Sequence, residues 1–136
     1  MAESKTEQKD FKHIVRLVGT DVDGGKSVEY SLRKIKGIGT RVARAIAHLA
    51  GIPPSAKMGY LKEEEIERLK KGIEVIEKET PPWMLNRRKD FYTGENKHML
   101  GSDWIVMVRE DTDLMKRMRS YKGIRHELGY KVRGQR

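Results

Sequence analysis

Three short apolar stripes at helical spacing, separated by glycine and proline breaks, constrain the fold of this chain more than any other feature. Apolar residues that recur every three, four or seven positions lie on one face of an α-helix. The stripes consist of Val28, Leu32 and Ile35; Val42, Ile46 and Leu49; and Ile66, Leu69, Ile73 and Ile76. Gly37 and Gly39 separate the first two, and Pro53-Pro54 separates the second from the third. The pattern therefore predicts a mainly α fold.

Signals at the ends of these stripes predict where the helices begin. Ser27 and Thr40 are candidate N-caps for the first two helices, because a side-chain hydroxyl can accept a hydrogen bond from a free N–H of the first turn. The third helix is predicted to begin near Leu61. Its capping box is incomplete, since Lys62 stands where a serine or threonine is expected, three residues before Glu65.

The flanking segments have weaker patterns. His13–Val18 is rich in β-branched residues and predicts a short N-terminal strand. Pro82 ends the helical region, and Trp83–Arg88 predicts a brief helical turn. A long C-terminal helix is predicted over 102–119. Its stripe consists of Ile105, Val108, Met115 and Met118, with Thr112 completing it.

Residues 120–136 hold three glycines and few apolar side chains, which predicts an extended basic tail. The whole chain then divides into five parts. These are a flexible leader over 1–12, a helical domain over 13–82, a connecting element and loop over 83–101, the long helix over 102–119 and the tail over 120–136.

The composition excludes several classes of protein. The chain has 136 residues and no cysteine, so disulfide scaffolds, Cys-ligated zinc fingers, iron–sulfur clusters and thiol nucleophiles are impossible. Its longest wholly apolar run, Trp104–Val108, is far too short to span a membrane. The polar first residues contain no apolar segment typical of a secretory signal. We expect a cytoplasmic protein without a membrane partner.

The net charge of +9 is concentrated in two blocks. Residues 28–61 carry six basic side chains and one acidic side chain, and residues 116–136 carry eight and one. The segment 62–80 between them is acidic by two charges. Such focused patches are typical of a nucleic-acid footprint rather than of a uniformly basic surface that serves solubility.

The first block contains a glycine turn that opens onto a helix. Two glycines allow the backbone to approach a phosphate closely, and the following helix offers free N–H groups and two arginines three residues apart. The candidate RNA-binding residues are Lys36, Gly37, Gly39, Thr40, Arg41 and Arg44. An ordinary tight connection between two helices explains the same pattern, so both interpretations stay open.

The second block alternates basic residues with aromatic residues and glycines. Arginine pairs with phosphate, and guanidinium and aromatic planes stack on exposed bases, so the pattern favours a segment that binds folded RNA over a merely solvated tail. The candidate residues are Lys116, Arg117, Arg119, Lys122, Arg125, His126, Lys131, Arg133 and Arg136. Tyr121 and Tyr130 are interleaved among them.

No pattern in the sequence predicts catalysis, a bound metal or a cofactor. The four histidines lack metal-ligand spacing, and no serine or histidine lies in a nucleophile motif. The acidic cluster Glu63–Glu67 most simply complements the dipole of a helix N-terminus. Trp83 and Trp104 are predicted to anchor the core.

Four elements in order resemble the family of small-subunit ribosomal protein thirteen in its archaeal and eukaryotic form. They are Lys36-Gly37-Ile38-Gly39-Thr40-Arg41, the Glu64–Leu69 helix, Pro82-Trp83-Met84-Leu85-Asn86-Arg87, and the run Tyr121–Arg136. The run Gly-Ile-Arg-His, followed by Val-Arg-Gly-Gln, is the most specific of these. The Pro-Trp-x-Leu-Asn-Arg element and the long central loop indicate the archaeal and eukaryotic form.

The resemblance implies a helix–two-turn–helix RNA-binding core over 13–82, a long C-terminal helix and a basic tail. It implies a ribosomal location in the head of the small subunit, with small-subunit rRNA, small-subunit ribosomal protein nineteen and large-subunit components at an intersubunit bridge as partners. The tail would contact the peptidyl-site tRNA. Family members usually continue past Gly-Gln-Arg with more Thr, Arg and Gly, so the residues nearest tRNA can lie beyond Arg136.

Two other classes share a similar helical module. DNA glycosylases of the formamidopyrimidine type use an N-terminal proline and usually a Cys-ligated zinc finger, and this chain has neither. A stand-alone helix-hairpin-helix DNA-binding module is harder to separate by composition and stays open as the alternative function.

Overall fold

The computed structural model describes residues 11–136, and the chain divides into two compact units. The first unit ends at Gly101, and the second comprises Ser102–Arg136. α-Helices are the main element of the described chain, as the apolar stripes predict. Most of the predicted leader over 1–12 lies outside the described residues.

The first unit begins with a small antiparallel sheet. Strand β1 covers Ile14–Leu17 and strand β2 covers Thr20–Asp23, with Leu17 opposite Thr20. The sequence predicts β1 only. Strand β2 has a single inward apolar residue, Val22, and one apolar residue is too few to establish an alternating pattern.

The end of the predicted leader packs on the first unit. The ring of Phe11 lies edge-on to that of Tyr60, with the centroids 5.1 Å apart. The backbone N–H of Lys12 donates to the carbonyl of Gly59 at 3.0 Å. The Lys12 ammonium also lies 3.1 Å from the Glu63 carboxylate. Phe11 and Lys12 therefore both have partners in the first unit.

Three helices form the core of the first unit. Helix α1 covers Val28–Leu32, α2 covers Thr40–Leu49 and α3 covers Glu63–Glu79; α1 packs on α2, and α2 packs on α3. Short 3-10 turns occur at Met58–Tyr60 and Pro82–Met84. The most deeply buried large side chains are Leu17, Val22, Val28, Leu32, Ile35, Ile46, Met58, Leu69 and Ile76.

The stripe predicted on α3 is confirmed, since all four of its isoleucine and leucine residues are buried. The stripe on α2 is correct except for Leu49, which is 44% exposed. Ala43 and Ala47 occupy the core-facing positions instead, next to Val42 and Ile46. The sequence pattern underrates these alanines because they are small. Trp83 is 70% exposed, so its prediction as a core anchor is wrong.

The predicted N-caps have different outcomes. Ser27 is confirmed as the N-cap of α1, and its hydroxyl accepts a hydrogen bond from the Tyr30 N–H. Thr40 is the first residue of α2 rather than its cap, because Gly39 occupies the N-cap position. In α3 only the glutamate half of the capping box forms, with the Lys62 N–H donating to Glu65 at 2.8 Å.

The long C-terminal helix is present, but its apolar stripe is not buried. Helix α4 covers Gly101–Arg117, slightly displaced from the predicted 102–119. Ile105, Val108 and Met118 are 46%, 39% and 61% exposed. The Thr112 hydroxyl donates to the Val108 carbonyl of its own helix instead of completing a core face.

The prediction of an extended tail is wrong for its first half. Tyr121–Glu127 forms a further helix, α5, which follows α4 after a sharp turn. Ser120 is its N-cap and joins the two helices, because its hydroxyl accepts from the Gly123 N–H at 3.1 Å and donates to the Met115 carbonyl at 3.1 Å. At the other end, N–H groups of Gly129 and Tyr130 bond back into the last turn of the helix.

Gly123 is the residue that permits this turn. A Cβ atom at this position would lie 2.1 Å from the Met115 carbonyl oxygen, which is closer than any real contact. In the sequence Gly123 suggests a flexible segment. In the structure it allows the backbone at the start of α5 to approach the Met115 backbone in α4 closely. A sequence pattern based on apolar periodicity cannot detect that requirement.

We expect Gly123→Ala to open the turn between α4 and α5. Alanine normally stabilises a helix interior by about 0.5–1 kcal/mol over glycine, so a loss of helix here would point to the steric clash. Amide hydrogen exchange over residues 120–128 should accelerate at least tenfold. Lys122→Ala, at an exposed position of the same helix, is the control and should leave the exchange rates unchanged.

We expect Ile73→Ala to lower the free energy of unfolding by about 2–5 kcal/mol, because its side chain is 3% exposed in the core. Urea unfolding measures the change. Val75→Ala, two residues away on the same helix but 40% exposed, should cost much less. Equal effects of the two substitutions would contradict the assigned orientation of α3.

Candidate nucleic-acid interface

The glycine turn before α2 is held in place by a neighbouring loop. Gly37 has φ +94°, and a Cβ there would lie 2.3 Å from the Met99 carbonyl oxygen. The carbonyl of Lys36 accepts a hydrogen bond from the Gly101 N–H at 2.9 Å. A structural contact therefore accounts for Gly37 without any ligand, as the tight-connection interpretation predicts.

Gly39 has different surroundings. Its backbone is extended, and a Cβ built on it would meet nothing within 4 Å. The N-terminus of α2 has no side-chain cap. Open space beside the N-terminus of a ten-residue helix suits the close approach of an anion. Gly39 and Thr40 thus keep their place among the candidate residues, whereas Gly37 supports the turn.

The two arginines after the turn are not equivalent. Arg41 is exposed. The Arg44 Nε lies 3.0 Å from a carboxylate oxygen of Glu29 on α1, and the Glu29 side chain is only 21% exposed. Because a guanidinium has five N–H donors, this ion pair leaves others available while it orients the side chain. Arg44 therefore helps to join α1 to α2 as well as adding positive charge.

A cleft next to α1 adds basic residues that the sequence reasoning missed. It has a volume of about 360 Å³ and is lined by Asp23, Lys26, Tyr30, Ser31, Arg33 and Lys34. The cations of Lys26 and Arg33 lie 5.2 and 5.1 Å from the centre of the Tyr30 ring, which is half exposed. Arg33 and Lys34 belong to the basic block over 28–61, and Lys26 lies just before it. The distribution of charge along the sequence could therefore have identified these residues.

Asp23 limits the positive charge of this cleft. Its carboxylate accepts a hydrogen bond from the Gly25 N–H at 2.9 Å, which together with the nearby ammonium of Lys26 lowers its pKa. Lys26 lies 3.6 Å from that carboxylate. The unbalanced cations of the cleft are therefore Arg33 and Lys34.

The basic C-terminal segment is organised around Arg125. Its guanidinium lies 5.7 Å from the ring centre of Tyr121 and 5.4 Å from that of Tyr130, and its Nε donates to the Lys131 carbonyl. Both tyrosine rings remain more than half exposed. The structure thus brings together aromatic and basic residues that lie up to ten positions apart in the sequence.

Most of the other cations in this segment face solvent. Lys116 and Arg119 form loose ion pairs with Asp113 and Glu127, at 3.6 and 3.9 Å. Lys131 donates to the Arg136 carbonyl. The side chains that are predominantly exposed are Arg117, Arg119, Lys122, His126, Lys131, Arg133 and Arg136.

Within the described residues, neither a metal centre nor a membrane segment is found. No group of three or more metal-ligating side chains occurs there. Across 11–136, every helix is too short or too polar to cross a lipid bilayer.

Comparison with known proteins identifies the family. The family described as ribosomal protein S13/S18 matches residues 16–136. The chain belongs to this family. It is 54% identical over 127 residues to the small ribosomal subunit protein uS13 of Methanothrix thermoacetophila, covering 93% of this chain and 80% of that protein.

Two further relatives have the same name. The uS13 protein of Methanocella arvoryzae is 53% identical over 127 residues, and the alignment covers 93% of this chain but 57% of that protein. The uS13 protein of Thermoplasma volcanium is 48% identical over 135 residues, covering 99% of this chain and 79% of the relative. Membership of a family of structural ribosomal proteins means that the chain is not an enzyme, as the sequence predicts.

A buried histidine fastens the loop that supports the glycine turn. His98 is 6% exposed; its Nδ1 accepts from the Asn86 N–H at 3.3 Å, and its backbone N–H donates to Glu77 at 2.7 Å. Burial lowers the pKa of His98, and the Gly37 backbone and the Glu77 charge oppose this effect only in part.

We expect this histidine to make the fold less stable in mild acid. Because its pKa is lower in the folded state than the ordinary 6.5, the unfolded chain binds the proton first, and stability falls as the pH drops below about 6.5. Urea unfolding at pH 7.5 and pH 5.5 should show a smaller pH-dependent loss for His98→Gln than for the wild type. The exposed His48→Gln should retain the wild-type loss.

Proposed function

We propose that this chain is a structural component of the head of the small ribosomal subunit and binds small-subunit rRNA through two basic surfaces. Its family and the names of its relatives support the ribosomal assignment. The RNA-binding part of this proposal rests on cations of the C-terminal segment that no described carboxylate neutralises. Within the described chain, no Asp or Glu pairs with Lys122, Arg125, Lys131, Arg133 or Arg136.

The C-terminal surface combines the features that RNA recognition needs. Exposed cations contact phosphates, and the exposed rings of Tyr121 and Tyr130 offer planes on which unpaired bases stack. Arg125 holds its position between these rings, so less conformational entropy is lost when it binds. The short helix α5 presents Lys122 and His126 on the same segment.

The second surface is the N-terminus of α2 with the basic residues around it. Gly39 leaves room for a phosphate, Lys36 and Arg41 are exposed, and Arg44 keeps donors beyond its ion pair with Glu29. The nearby cleft extends the positive charge through Arg33 and Lys34. We assign these side chains to contacts with the sugar-phosphate backbone, which position a protein on RNA without reading its sequence.

The further partners follow from the resemblance to the family. We propose that the basic C-terminal segment reaches the peptidyl-site tRNA. We also propose that the chain contacts small-subunit ribosomal protein nineteen and takes part in a bridge to the large subunit. We propose that these tasks are divided among four predicted parts of the chain, which are 13–82, 83–101, 102–119 and 120–136.

We expect the double substitution Lys122→Ala with Arg133→Ala to weaken binding to small-subunit rRNA. Each lost phosphate contact should reduce the slope of log K against log[salt] by about one. The melting temperature should stay near that of the wild type, because both side chains are exposed. Filter binding over a salt series provides the measurement.

Arg68→Ala with Lys71→Ala is the matched control, because it removes the same two charges from exposed positions on the acidic segment 62–80. Its affinity should remain within about twofold of the wild type. An equal loss in both double variants would indicate non-specific electrostatics. Equal affinity of the wild type for rRNA and for duplex DNA would favour the alternative, a stand-alone DNA-binding module of the helix-hairpin-helix type.

A further inference from the structure

The connecting loop between α3 and α4 contains a hydrogen-bonded hairpin whose residues take part in none of the contacts proposed above. Its two sides are joined by reciprocal backbone hydrogen bonds between Arg87 and Lys97, at 3.1 and 2.8 Å. At its base the side-chain amide of Asn86 donates to the Met99 carbonyl at 2.7 Å and accepts from the Met99 N–H at 2.9 Å. The loop is therefore a defined structural element.

Asp90 organises the tip of this hairpin. Its carboxylate accepts from the Arg87 Nε at 2.8 Å and from the Thr93 hydroxyl at 3.1 Å. The Asp90 N–H donates to the Glu95 carbonyl, and the Asp90 carbonyl accepts from the Gly94 N–H. The negative charge of the Asp90 carboxylate is thus balanced by Arg87 within the hairpin and is not presented to a partner.

Two large aromatic rings project from this tip. Phe91 is 74% exposed and Tyr92 is 69% exposed, and their ring centres lie 5.2 Å apart at an angle of 87°. Phenylalanine is among the residue types most often buried, and two adjacent exposed rings form an apolar patch of the kind that marks an interaction site. The hydrogen bonds of the hairpin order the backbone beneath the rings, and the two rings contact each other edge-on.

The charge beside the rings distinguishes between possible partners. Arg88 and Lys89 precede the rings, are exposed and form no ion pair with any described residue. Glu95 lies 3.4 Å from Lys97, so its charge is also balanced locally. Protein interfaces are enriched in aromatic residues and arginine but depleted of lysine. Lys89 beside the rings therefore favours RNA, whose binding surfaces combine cations with aromatic planes.

We propose that the hairpin tip, Arg88–Tyr92, is an additional RNA-binding site at which Phe91 and Tyr92 stack on unpaired bases while Arg88 and Lys89 contact phosphates. This inference rests on the proposed function, because it names a further contact with the same rRNA. It is independent of the two surfaces described above, since it uses none of their residues.

The test compares affinities of the full chain for transcribed small-subunit rRNA. Phe91→Leu with Tyr92→Leu keeps apolar side chains but removes the aromatic planes, so we expect affinity to fall about 5- to 100-fold with an unchanged salt slope. Phe91→Tyr with Tyr92→Phe keeps the planes and should bind within about twofold of the wild type. Arg88→Ala with Lys89→Ala should instead reduce the salt slope by about one to two.

Two further measurements make the outcome decisive. The leucine variant should melt at the wild-type temperature and should bind a fully paired RNA duplex as the wild type does, because a duplex offers no unpaired base. Unchanged affinity of the leucine variant for rRNA would overturn the inference. So would a crosslink from the tip to a protein rather than to rRNA in assembled subunits.

The result separates this inference from the proposed function. If Lys122→Ala with Arg133→Ala weakens rRNA binding while the leucine variant does not, only the hairpin site fails. If the wild type shows no preference for small-subunit rRNA, the proposed function itself fails.

Discussion

The close backbone contact between Gly37 and Met99 is the constraint on which the candidate interface of the first unit depends. It fixes the turn between α1 and α2, and thus the open N-terminus of α2 at Gly39. The same contact holds the end of the connecting loop, where Asn86 and His98 add hydrogen bonds. A larger side chain at Gly37 would therefore disturb both the predicted phosphate site and the hairpin that carries Phe91 and Tyr92.

Positive charge in this protein is attached to small, locally braced elements rather than to one large scaffold. Arg44 is oriented by Glu29, Arg125 by two tyrosine rings, and the hairpin tip by Asp90. Each arrangement neutralises or orders some groups and leaves others available. Such preorganisation lowers the conformational entropy lost on binding, which benefits a protein whose surface is to be covered by RNA.

The sequence predicts an element correctly where its apolar periodicity is long. It misses elements whose formation depends on helix caps and on close backbone contacts. The α3 stripe from Ile66 to Ile76 was predicted correctly, because seventeen helical residues give a clear period. Strand β2 was missed because it has one inward apolar residue. Helix α5 was missed because its determinants are the Ser120 cap and the absence of a Cβ at Gly123, and neither produces periodicity.

The sequence by itself determined the family, the helical class and the placement of charge in two blocks, because these depend on residue identity and spacing alone. Only the tertiary structure decided which cations are free to bind. It paired Arg44 with Glu29, showed that Gly37 faces Met99, and brought Tyr121 and Tyr130 around Arg125. The physical reason is that ion pairs and close backbone contacts depend on distances between elements, which no local pattern along the chain contains.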